Sequence, residues 1–233
     1  MAETMLAYLF DNYFMLFYLI ALVLSLVTYQ RYYDTVLRYF PIILAYTFLS
    51  EVLGLLVRDT NEIQLIYKQE FHHYNAIIFN IFDIIFFLYF FYVYHQVSSS
   101  TFTKAILKNG TWCFGFVSIV NLFFQDFYTE PQNFSIIAGS LLLCYAALHF
   151  IIKLISVRHK LPLYKNLLFW ISLGILVFYV CYPIIMYILT FHYKQYIAYN
   201  LSEYHYVAIG VFYSCIIMGF ILMKRLRIAN EPV

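Results

Sequence analysis

Charged residues are scarce in this chain: Asp, Glu, Lys and Arg together make up 11% of its 233 residues, while 64% are hydrophobic. A soluble domain carries about 25% charged and 45–50% apolar residues. One globular core cannot bury the apolar surplus, which excludes a soluble enzyme, a nucleic-acid-binding module and a disordered chain. A net charge of +2 gives no reason to expect a polyanionic partner. No Cys-x-x-Cys pair and no Cys/His cluster at metal spacing is present, and Cys113, Cys144, Cys181 and Cys215 each lie inside an apolar stretch. They read as small packing residues, without a disulfide framework, and no metal or cofactor is expected. Glycine is sparse as well, at seven residues. No internal repeat is visible, which argues against the paired broken helices of inverted-repeat transporters.

What fills the chain is aromatic and aliphatic: 25 Phe, 25 Tyr and two Trp. A helix crosses the hydrocarbon core with about 20 mostly apolar residues, and seven stretches qualify: 9–28, 36–57, 74–95, 105–125, 134–153, 166–191 and 204–223. Runs such as Ile84-Ile85-Phe86-Phe87-Leu88 do not alternate, so a β-barrel is rejected. The sequence predicts an all-α polytopic membrane protein, one seven-helix transmembrane domain over residues 1–233. The first stretch lacks the basic flank and cleavage site of a signal peptide and is expected to stay as a helix. With almost no polar group beyond Ser25, it is expected to face lipid over much of its surface.

Orientation follows from Lys and Arg. Arg31, Arg38, Lys104, Lys108, Lys153, Arg158, Lys160, Lys165, Lys224, Arg225 and Arg227 fall on one side, and Arg58, Lys68 and Lys194 on the other. The basic side is expected to face the cytoplasm, putting the N-terminus outside and the C-terminus inside. The tail after Lys224 is short and no long connection separates the spans. No output domain is expected, so a signalling role would run through a partner.

Ionisable groups inside a membrane cost about 2.5–3.5 kcal/mol or more at its centre and are functional candidates by default. Glu51 in span 2 and Asp83 in span 3 qualify. At 1.5 Å per residue, Glu51 is expected about 10 Å below the outer surface, with Asn80 at similar depth and Asp83 near the middle. Asn80 and Asp83 are three apart and share a helix face. Asn121 in span 4, Ser140 in span 5, Tyr179 and Tyr182 in span 6, and Tyr213 in span 7 offer polar groups at comparable depth. These eight residues are expected to converge on an outward-facing polar cavity. Tyr193, Tyr196, Tyr199, Tyr204, Tyr206, His192 and His205 would form an aromatic rim above it. Against this stands a plain packing reading, in which Asn, Ser and Tyr between helices are glue worth about 0.6 kcal/mol each.

Several chemistries fail on the sequence. Span 7 holds no lysine before Lys224, so a retinal Schiff base is excluded. The Asp-Arg-Tyr and Asn-Pro-x-x-Tyr receptor signatures are absent too. An intramembrane zinc-dependent lipid hydrolase needs three clustered histidines, and the seven here contain no His-x-x-x-His pair. His149 sits at the inner end of span 5, where an interfacial role fits. A proton-coupled transporter using Glu51 and Asp83 remains the second reading.

Ser50-Glu51-Val52-Leu53-Gly54, Phe79-Asn80-Ile81-Phe82, Asn121-Leu122-Phe123-Phe124-Gln125, Gly139-Ser140-Leu141-Leu142-Leu143 and the Asn166-x-x-Phe169-Trp170-Ile171-Ser172-x-Gly174 run together carry a resemblance. The chain resembles a family of small, uncharacterised seven-helix bacterial inner-membrane proteins, often encoded near sensor histidine kinases. The resemblance covers about residues 45–225. It implies a bacterial inner-membrane location and a signalling context by association. Where the family tends to carry a Glu six residues after the span 3 Asn, this chain has Phe86, and Asp83 one turn nearer is the substitute. Asn166 and Trp170, after the basic loop with Arg158 and Lys160, are candidates for docking a partner such as a sensor kinase. Trp170 also reads as an interface anchor.

The expectation is therefore a non-catalytic integral membrane sensor or accessory subunit in a lipid bilayer, with an outward polar cavity and no nucleic acid. A small transporter or, third, a metal-dependent lipid hydrolase are the alternatives, and the sequence leaves the oligomeric state open.

Overall fold

A computed structural model of the chain describes residues 13–59, 63–66, 68–156 and 162–224. These form seven long helices: α1 (Phe14–Val27), α2 (Phe40–Asp59), α3 (Ala76–Val97), α4 (Thr101–Asn121), α5 (Asn133–Ser156), α6 (Leu167–Phe191) and α7 (Leu201–Leu222). The short helix Tyr193–Ala198 and single 3-10 turns complete the described chain, which contains no strand. Five of the segments are long and apolar enough to cross a membrane: Val36–Asp59, Ala76–Val97, Asn133–Ser156, Leu167–Phe191 and Leu201–Leu222. The protein is an integral membrane helical bundle.

Helix starts follow local hydrogen-bond chemistry. The Ser100 hydroxyl accepts from the Thr103 N–H at 3.3 Å to open α4, and the Asn166 side chain accepts from the Phe169 N–H at 3.3 Å to open α6. Both are N-caps that satisfy an otherwise orphaned donor. The end of α4 differs from the expected 105–125. Leu122, Phe123 and Phe124 donate backwards to Ile119, Val120 and Asn121 at 3.3, 3.1 and 2.9 Å. These three-residue closures tighten the last turn and release the chain at Asn121. The α4 segment starts four residues earlier than expected, at its serine cap. Its first turns hold Lys104, Lys108, Asn109 and Thr111, which lowers its apolar content below that of the other long helices.

The packing order is a closed ring: α1 against α2, α2 against α3, α3 against α5, α5 against α6, α6 against α7, and α7 back against α1. Helix α4 lies outside this ring against α3 and α5. Its outer face is a stripe at three-to-four-residue spacing, Trp112, Phe116, Ile119 and Phe123, exposed by 63–83%. An apolar face of that extent belongs against lipid. The closest helix pair is α6 with α7. A Cβ on Gly174 would stand 2.7 Å from the Phe212 ring and 3.0 Å from its backbone oxygen, so the missing side chain sets the approach.

The first span is exposed over much of its surface, as expected, at Leu16, Leu19, Ile20, Val23, Leu26 and Val27, but it also has an inward face. Phe14, Tyr18, Ala21 and Ser25 of α1 are buried at spacings of four, three and four, the inward stripe of a helix. The opposite face, with Val23, Leu26 and Val27, stays exposed.

One half of the bundle interior is solid. Phe40, Phe87, Phe90, Phe91, Tyr94 and Phe220 are all buried, with Phe86 and Phe90 ring centroids 4.7 Å apart and Phe87 and Phe114 5.4 Å apart. The Tyr94 and Ser172 hydroxyls lie 2.7 Å apart, and Ser172 also donates to the Leu168 carbonyl at 2.7 Å. The other half is hollow.

Candidate functional site

The hollow half contains a cavity of about 490 Å³ walled by α1, α2, α3, α6 and α7. Each wall presents residues at helical spacing. Phe14 and Tyr18 come from α1; Thr47, Glu51, Gly54, Leu55 and Arg58 from α2; Phe79, Asn80, Phe82, Asp83 and Phe86 from α3. Phe178, Tyr179, Tyr182 and Met186 come from α6, and His205, Tyr206, Ile209, Phe212 and Tyr213 from α7. The volume lies within the roughly 300–1,000 Å³ of small-molecule sites. One end is bounded by the 59–76, 121–133 and 191–201 connections, which contribute His73, Tyr74, Thr129, Pro131 and Tyr196. Partial burial raises the Tyr196 phenol above its usual range. The other end stops at Phe86, whose ring stacks on Tyr179 at 5.5 Å, above the solid aromatic half.

Both membrane carboxyls line this one cavity, each held by a tyrosine from another helix. Tyr18 of α1 donates to Glu51 Oε1 at 2.9 Å, and Tyr182 of α6 donates to Asp83 Oδ2 at 2.8 Å. The first bond joins neighbouring helices and the second links α3 to α6 across the ring, so the carboxyls are fixed in place and keep their second oxygens free of any described protein donor. Around them the walls are aromatic: Tyr18 and Tyr213 meet edge-on at 4.4 Å, and Phe178 stacks between Tyr182 at 5.0 Å and Phe212 at 5.7 Å. Near the rim, the Arg58 guanidinium makes a two-pronged pair with its neighbour Asp59, at 2.7 and 3.1 Å.

Of the eight expected cavity residues, Glu51, Asn80, Asp83, Tyr179, Tyr182 and Tyr213 line it. Asn80 is also engaged outside the cavity. Its amide donates to the Phe127 and Glu130 carbonyls at 2.8 and 2.9 Å, and its Oδ1 accepts from the Gln132 N–H at 3.1 Å. It thus ties the α4–α5 connection to α3. Asn121 and Ser140 do not line the cavity. Asn121 points into the same connection, donating to Gln132 Oε1 at 2.8 Å. Ser140 is buried on α5, a helix that contributes no wall, and its hydroxyl has no partner. Of the expected rim, Tyr196, His205 and Tyr206 reach the cavity, whereas Tyr193, Tyr199 and Tyr204 are exposed away from it.

The candidates for partner docking are engaged within the chain. Asn166 caps α6, and the Trp170 indole N–H donates to the Tyr164 carbonyl at 2.8 Å while its Cβ covers Gly219. Arg158 and Lys160 lie outside the described residues. His149 meets the Thr103 hydroxyl at 3.0 Å. Among the described residues no group of three His, Cys, Asp or Glu gathers to hold a metal ion.

Sequence reasoning missed Tyr18, the partner of Glu51. The signal was present in the Phe14, Tyr18, Ala21, Ser25 stripe. Thr47, Leu55 and Arg58 were also legible as the four-, four- and seven-residue neighbours of Glu51 on one face.

Bundle and cavity together define a helical membrane protein with a closed-ended, carboxylate-bearing pocket between its helices. No protein-family model, curated protein or solved structure matches the chain.

Proposed function

We propose that this protein is a non-catalytic membrane sensor or accessory subunit that binds a small ligand in the Glu51–Asp83 cavity and signals through a partner protein. The observation that carries this reading is the cavity's dead end. A carrier needs a path past the site, whereas here Phe86, Phe87, Phe90, Phe91 and Tyr94 fill the interior beyond it. A chamber with fixed polar groups and one closed end suits occupancy, not passage. The small-transporter reading accordingly stands second.

In this proposal all seven helices cross the membrane. Helix α4 has the length, at about 31 Å for 21 residues, and its lysines lie toward one end, where their stems can snorkel. The crossing by α1 needs the residues before Phe14. The cavity end faces outward, because the connections there carry Arg58, Lys68 and Lys194 against the larger basic set at the other end. The resemblance to bacterial inner-membrane proteins encoded near sensor kinases adds the inner membrane as location and a kinase as the kind of partner.

The test is affinity purification of the tagged protein from native membranes at endogenous expression, in mild detergent. Recovery of a signalling protein at stoichiometric yield is expected. Recovery alone would overturn the partner-dependent part, and substrate flux in proteoliposomes would move the reading to a transporter.

A further inference from the structure

Resting on the reading of this cavity as a ligand site, we infer that its ligand is a small organic monocation, a protonated or quaternary amine bearing an apolar group. Charge complementarity to the two carboxyls decides the sign, and a protonated amine would add an N–H for their free oxygens. Tyr18 and Tyr182 each own one O–H, and both commit it to a carboxylate. Thr47 donates to the Ile43 carbonyl at 2.8 Å, and both amide hydrogens of Asn80 are committed to the α4–α5 connection. Arg58 is the one Lys or Arg lining the cavity among the described residues, and it is held by Asp59. The Tyr179 and Tyr213 hydroxyls can turn either way. His73, Tyr74, Thr129 and His205 also line the cavity and can donate or accept as an occupant requires, so the fixed groups of one sign are the second oxygens of Glu51 and Asp83, which have no described protein donor.

An anion would meet two carboxylates and no uncommitted fixed cation. A neutral apolar ligand would leave the second oxygen of each carboxyl facing carbon surface with no partner from the ligand, which is costly. A metal ion that needs three His, Cys, Asp or Glu ligands is disfavoured, since no such group gathers among the described residues. An organic monocation offsets one of the two negative charges and suits the aromatic walls as well. Its charge faces the carboxylates, and its carbon surface meets the rings of Phe178, Phe212 and Tyr213, whose faces attract cations when desolvated. Asp83, only 7% exposed, lies at the deeper position and orients the cationic head.

Three isosteres test this with the full chain in nanodiscs of zwitterionic lipid: benzyltrimethylammonium, phenylmethanesulfonate and neopentylbenzene. They share a benzyl group and a tetrahedral head and differ in charge. Isothermal titration and ligand-induced thermal stabilisation are the readouts, with empty discs as baseline. Saturable binding of the cation is expected, at one per chain and about tenfold or more tighter than the neutral isostere, with no binding of the sulfonate. Glu51→Gln combined with Asp83→Asn should reduce the cation to the neutral isostere's affinity. Should the double variant fail to fold, Asp83→Asn alone should weaken the cation about tenfold and leave the neutral isostere unchanged. Equal binding of cation and neutral compound, or preference for the sulfonate, would overturn the charge assignment while leaving a ligand cavity. Saturable binding by none of the three would overturn both.

Discussion

Two polar regions lie side by side at one end of this bundle, and they treat buried polar groups in opposite ways. The α4–α5 connection is an amide latch. Asn80, Asn121, Gln125, Gln132 and Asn133 hydrogen-bond to one another and to backbone, with Asn133 also reaching the Thr190 hydroxyl at 2.8 Å. The cavity next to it is built from hydroxyls and carboxyls, and each carboxyl is only half satisfied. Amides carry donors and acceptors on one group and can bond to one another and to backbone, which pairs most of the latch, although Asn121 Oδ1, Gln125 Nε2 and Asn133 Oδ1 have no partner among the described residues. A tyrosine donating to a carboxylate leaves only acceptors behind. The first arrangement therefore holds the fold, and the second stays available to something else. Asn80 belongs to both: it lines the cavity, yet all its hydrogen bonds serve the latch.

The largest effect that would sharpen this contrast is on stability. Asn80→Ala removes two donated bonds and one accepted bond in a buried setting, at roughly 1 kcal/mol each. We expect a loss of about 3 kcal/mol, read as a lowered midpoint of denaturation in mild detergent. Asp83→Asn preserves shape and still accepts from Tyr182, so its stability change should stay within about 0.5 kcal/mol. Equal destabilisation by the two variants would break the distinction between latch and cavity.

Next in size is Gly174→Ala. The new methyl would press on the Phe212 ring and backbone, and overpacking of this kind costs about 1–3 kcal/mol. Because Phe212 is also a cavity wall, the variant should weaken ligand binding as well as lower the unfolding midpoint. Unchanged stability would show that α6 and α7 separate more easily than their close approach suggests.

Much of this was legible in the sequence. The helix class followed from composition, and Glu51 and Asp83 followed from the expense of ionisable groups in lipid. Asp83 to Tyr182 was within reach because both lie on inward faces. Three things were hidden. Depth along a helix does not reveal whether a side chain points to a neighbour's loop or to a shared void, so Asn80, Asn121 and Ser140 looked equivalent to Tyr182. The ring order of the helices, with α4 outside it, is a property of packing between elements and leaves no mark in any single span. That order removes α4 from the cavity wall, while α5, inside the ring, is separated from the cavity where α3 and α6 meet through the Asp83–Tyr182 bond. Tyr18 was hidden for another reason: tyrosine at a span's outer end reads as belt material, and only the buried stripe of α1 separates it from that class.

Tyr94→Phe probes the solid half. It deletes the hydroxyl paired with Ser172, which keeps its own bond to Leu168. We expect a loss of about 1 kcal/mol with ligand affinity unchanged, because the site of change lies beyond the Phe86 floor. A weakened affinity would mean that the aromatic half and the cavity move together.

The smallest effect concerns Ser140, and its sign is the informative part. Its hydroxyl is buried on α5, away from the cavity, and has no hydrogen-bond partner. Burying such a group without compensation is unfavourable, and replacing it with a methyl of similar size recovers part of that loss. Ser140→Ala should leave ligand affinity unchanged and raise the unfolding midpoint slightly, by the equivalent of a few tenths to about 1 kcal/mol. Lowered stability would reveal a partner for this hydroxyl and extend the latch onto α5. Lowered affinity would place α5 in the cavity wall, and the division between the amide latch and the ligand-ready region would have to be redrawn around it.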